Sequence, residues 1–188
     1  IEPAIDQILA DNREAIAERL ERGAPFGWQD FVAPMEALED RLDRAWAPVS
    51  HLNAVMNTAE LREAYEACLP KLSDYATELG QNEALFAAYR SVADRDDFAE
   101  LTVEQRRVVE NAIRDFRLAG VDLPSSDKAR YKALKSELSQ LTTRFANNLL
   151  DATNAWSLDV DDEARLAGLP ASARDMFRAA AERDGQSG

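Results

Sequence analysis

The sequence is short of the residues that build reactive centres, with one histidine and one cysteine in 188 residues. A lone Cys68 excludes an internal disulfide. With no histidine near it in sequence, it reads as a small apolar residue on a buried helix face. A reduced thiol fits a cytoplasmic setting. A lone His51 excludes more. A catalytic zinc site draws on about three protein ligands, a helix-borne H-E-x-x-H takes two histidines, and a di-iron bundle takes repeated Glu-x-x-His pairs. None of these can be assembled from one imidazole. No G-x-S-x-G elbow or glycine-rich phosphate loop is present. His51 is therefore expected as a polar residue near a helix end, donating to a backbone carbonyl. No catalytic, cofactor-binding or metal-ligating residue is assigned in this chain.

Long hydrophobic runs are missing too. No apolar stretch approaches the ~20 residues that span a bilayer, and the N-terminus has no signal-peptide pattern. Cations are scarce: 22 Lys+Arg against 35 Asp+Glu leave a net charge of −13. That balance disfavours nucleic acid and anionic membrane surfaces, both of which recruit cations. Glycine and proline number 7 each, so interruptions are few. What remains is 46% hydrophobic and 30% charged residues, rich in Ala, Leu, Glu and Arg, a helix-forming mixture. Ile1 in place of Met, and the polar ending "DGQSG", create the expectation of a piece cut from a longer chain.

The apolar spacing predicts a succession of helices. Pro3 opens a first one over 4–22, with Ile5, Ile8, Leu9, Ile16 and Leu20 on one stripe, and Gly23 with Pro25 ends it. Trp28 and Phe31 begin a second, carried by Met35, Leu38, Leu42 and Trp46, which Pro48 should kink or end near His51. Asn57 or Thr58 caps a third that Pro70 should kink and Gly80 should close as a C-cap. Its buried stripe is Leu61, Tyr65, Cys68, Leu69, Leu72, Tyr75 and Leu79. A shorter helix carries Leu85, Phe86 and Tyr89, and "ADRDDFAEL" follows as a charged loop. Thr102 starts the next, lined by Val103, Val109, Ile113 and Phe116 and closed by Gly120.

The longest element is expected from Ser125 to Ala155. Tyr131, Leu134, Leu138, Leu141, Phe145 and Leu149 approximate a heptad seam on a rod roughly 45 Å long. A small domain has little use for such a rod, so it reads as the spine of something larger. After it, Trp156, Leu158 and Val160 alternate with Ser157, Asp159 and Asp161, the period of a half-buried strand with no partner in sequence. An unpaired edge there would favour self-association. The expected fold is all-α: an elongated multi-helix bundle with one long spine helix and a short unpaired strand at 156–160.

Two polar groups invite functional readings. "DVDDE", 159–163, lacks the central glycine and distant glutamate of a calcium loop; Asp161 or Asp162 capping the short helix "EARLA" fits better. Asn147, Asn148 and Asn154 suit interhelical hydrogen bonds or an exposed face, or else a polar cavity wall.

The stretches "APFGWQDFVAPMEALEDRL", "SHLNAVMNTAELREAYEACLPKLSDYATELGQNEALFAAY", "NAIRDFRLAGVDLP" and "RYKALKSELSQLTTRFANNLLDATNAW" together resemble the N-terminal helical region of the thimet oligopeptidase family of zinc metallopeptidases, on its bacterial, oligopeptidase A-like branch. The likeness runs in order along nearly the whole chain. It implies a two-lobed helical enzyme around a deep channel that admits short peptides. Zinc is held on the other lobe by H-E-x-x-H and a downstream glutamate. By this resemblance, residues 1–155 are the N-terminal helical domain, supplying channel wall. Residues 156–188 begin the connection to the catalytic part. The zinc half is missing from the sequence, so the chain alone is expected to be inactive, with the catalytic remainder as its partner. The rival expectations are a non-enzymatic acidic scaffold module, or an inactive regulator that caps a full-length relative.

Overall fold

The computed structural model describes residues 1–186 and contains seven α-helices and no strand among them. The chain divides into two compact units, 1–143 and 144–188.

In the first unit, α1 (Glu2–Glu21) starts on Pro3 and buries Ile5, Leu9, Asn12 and Ile16. Gly23, at φ +72°, turns the chain out of it. The following loop is wound around the Arg19 guanidinium. Arg19 donates to the carbonyls of Gly23 at 3.3 Å and Pro25 at 3.4 Å, to the Asp30 carbonyl, and to Asp30 Oδ2 at 2.7 Å. It also lies 4.8 Å from the centre of the Phe26 ring. A π-helical turn, Trp28–Val32, runs into α2 (Ala33–Val55) with Pro34 in its first turn.

Pro48 does not end α2 near His51; the helix continues to Val55. Trp46 stacks on Tyr65 of the neighbouring helix, with centroids 5.0 Å apart and planes 17° apart, and that packing holds this end helical despite the missing N–H. α3 (Ala59–Gly80) likewise runs unbroken past Pro70, capped by Thr58, which accepts from the Leu61 N–H at 3.3 Å. Gly80 is its last helical residue rather than a left-handed cap. A Cβ there would lie 2.6 Å from the Ala119 Cβ, so the glycine serves close packing between chain segments.

α4 (Glu83–Ala93) is capped by Asn82, which accepts from the Leu85 N–H at 2.9 Å, and a 3₁₀ turn at Asp96–Glu100 follows. α5 (Val103–Leu118) opens on a complete capping box between Thr102 and Gln105. Val103, expected on its buried stripe, is 69% exposed; it occupies the first helical position, where the face has not yet turned inward. Gly120, at φ +86°, closes the element.

Two cores result. Phe31, Tyr89, Phe116 and Phe86 form a ring-to-ring chain at 5.1, 5.6 and 5.7 Å, packed with Val32, Val92 and Val109. Ile5, Leu9, Cys68 and Tyr75 form the second, between α1 and α3.

α6 (Ser125–Asn154) is the rod expected from the sequence, and none of its residues is buried. In the first unit it is tied down by polar links, Lys128 to Glu83 and Lys132 to Asp74 at 3.4 Å.

The second unit contains the end of α6, a 3₁₀ turn at Glu163–Leu166 and α7 (Ala171–Arg183). Arg174 donates to the Leu166 carbonyl at 3.0 Å and pairs with Glu163 at 3.4 Å, linking turn to helix. The strand expected at 156–160 does not form: the segment is irregular, with Trp156 71% and Leu158 60% exposed. Alternation gives a strand only where another strand supplies its hydrogen bonds, and none lies among the described residues.

Candidate functional site

The residues singled out for chemistry do not converge. Cys68 is fully buried against Ile5, Leu9 and Tyr75, and burial raises its thiol above the usual range, with Glu2 adding to the rise. A thiol so placed is neither accessible nor ionised, so it packs rather than reacts. His51 is exposed on α2, one turn before its end. No group of three or more His, Cys, Asp or Glu side chains capable of holding a metal occurs among the described residues. One imidazole without converging carboxylates does not fit zinc.

Within "DVDDE", Asp162 caps the 3₁₀ turn, accepting from the Ala164 N–H at 2.9 Å. Asn148 and Asn154 are exposed on α6 and Asn147 is half-buried.

The polar groups that do converge are braces. Lys71 of α3 meets Glu2 and Asp6 of α1 at 2.7 Å each, and those hydrogen bonds, Asp6 foremost, push its pKa up to about 12. Asn12, buried in α1, donates to the Leu38 carbonyl at 3.2 Å. Its register with Leu9 and Ile16 turns it inward, and the α1–α2 packing gives it a carbonyl to bind. Tyr89 is held neutral well above the usual phenol range by burial, with Glu36 and Glu39 adding to the effect. Glu36 itself is raised by burial and then by Glu39.

Among the described residues, the surface also offers a broader feature. An open groove of about 420 Å³ lies between α3 and α6, with Ala76 and Thr77 on one side and Tyr131, Lys135 and Leu138 on the other. Beside it runs the seam of α6, with Leu134 55%, Leu138 59% and Leu141 49% exposed.

The family model for the neurolysin/thimet oligopeptidase N-terminal domain covers residues 5–128. Oligopeptidase A of Haemophilus influenzae is 43% identical over 188 residues, all of this chain and 28% of the relative. Oligopeptidase A of Escherichia coli is 46% identical over 180 residues, 96% of this chain and 26% of the relative. Dipeptidyl carboxypeptidase of Escherichia coli is 30% identical over 167 residues, 89% of this chain and 24% of that protein. The chain thus spans about a quarter of the length of these relatives.

Proposed function

Because this chain belongs to the neurolysin/thimet oligopeptidase family and matches its N-terminal domain, we propose that it is the helical wall of a zinc endopeptidase that hydrolyses short peptides in the cytoplasm. The observation that carries this reading is the collinear match to oligopeptidase A, 43% identical along all 188 residues while covering only 28% of that relative.

Residues 1–155 form the helical domain in this reading, and 156–188 lead toward the catalytic part. In such an enzyme a zinc ion, bound by H-E-x-x-H and a further glutamate elsewhere in the polypeptide, supplies the Lewis acid for water attack on the peptide carbonyl. The residues here do not fit that ion, so no step of the hydrolysis is assigned to them. Their part is mechanical. The two aromatic and aliphatic cores and the Lys71 and Arg19 braces make a stiff bundle, and a stiff wall keeps folded substrates out of a channel. The exposed Trp156 and Leu158 await the same remainder; without it they are where two copies would associate.

A fluorogenic-peptide assay tests the reading. The purified 188-residue chain should give no turnover with added zinc. The full-length protein encoded in frame with it should give chelator-sensitive turnover. Zinc-dependent hydrolysis by the short chain, or none by the full-length protein, would overturn the proposal.

A further inference from the structure

We draw no further inference here: the strongest candidate, the exposed apolar patch of Leu52, Val55 and Met56 where α2 turns into α3, carries nothing because nothing in the structure shows what covers it.

Discussion

Placing a methyl group on Gly80 should destabilise the bundle even though the residue is helical. Elsewhere in a helix, Gly→Ala stabilises by about 0.5–1 kcal/mol through reduced backbone entropy. Here the new Cβ would lie 2.6 Å from the Ala119 Cβ. Ordinary carbon contacts sit at about 3.5–4 Å, so α3 and the end of α5 must separate by roughly 1 Å. Forced overpacking costs about 1–3 kcal/mol. The separation also stretches the 3.2 Å hydrogen bond from Gln81 Nε2 to the Ala119 carbonyl. The net expectation for Gly80→Ala is a loss of about 1–2 kcal/mol, since the overpacking outweighs the entropy gain.

Urea unfolding followed by circular dichroism measures it. With a slope near 2 kcal/mol/M, the midpoint should fall by about 0.5–1 M. The second arm is Ala119→Gly in the Gly80→Ala background, which removes the opposing methyl. The double variant should recover most of the midpoint, giving a coupling energy of about 1 kcal/mol or more. If Gly80→Ala is as stable as the parent or more so, the close-packing explanation of this glycine is wrong. Additive effects of the two changes would refute the contact itself.

Replacing Arg19 by Lys should destabilise by about 2 kcal/mol, because an ammonium cannot reproduce the fork that reaches Asp30 and the loop carbonyls while stacking on Phe26. Thermal melts showing full rescue by lysine would rule out the planar-fork explanation. Glu36→Gln should raise stability at pH 7. Burial lifts the Glu36 pKa above 4.5, so its stabilising, protonated form is fully present below pH 4.5 and is lost as pH rises through the folded value. The glutamine's advantage should therefore shrink on acidification, and a pH-independent difference would contradict this sign. Cys68 should resist a thiol reagent until the chain unfolds, its labelling rate following urea in step with the circular dichroism signal. Rapid native-state labelling would show that the α1–α3 core opens locally.

Much of the helical layout is written in short-range signals. Thr58, Asn82 and the Thr102–Gln105 box each satisfy backbone N–H groups within three residues, so the helix starts at 59, 83 and 103 can be read without any tertiary information. Gly23 and Gly120 end helices for an equally local reason, a positive φ. With one histidine and one cysteine, this sequence holds neither an H-E-x-x-H pair nor an internal disulfide, by arithmetic alone.

Periodicity names the apolar face of a helix but not whether anything covers it. Leu134, Leu138 and Leu141 form a seam in the sequence and are exposed, while Asn12, on the same stripe as Leu9 and Ile16, is buried beside a carbonyl that accepts from it. Whether Pro48 breaks a helix, whether Gly80 caps or packs, and whether 156–160 pairs as a strand depend on partners remote in sequence: Tyr65, Ala119 and, for the last, a strand that these residues do not contain. Local hydrogen-bonding and backbone geometry were thus determined by the sequence itself. Burial, and with it the divide between core and exposed face, was decided only by what the tertiary structure brings alongside, because hydrophobic free energy belongs to contacts between segments and not to any one of them.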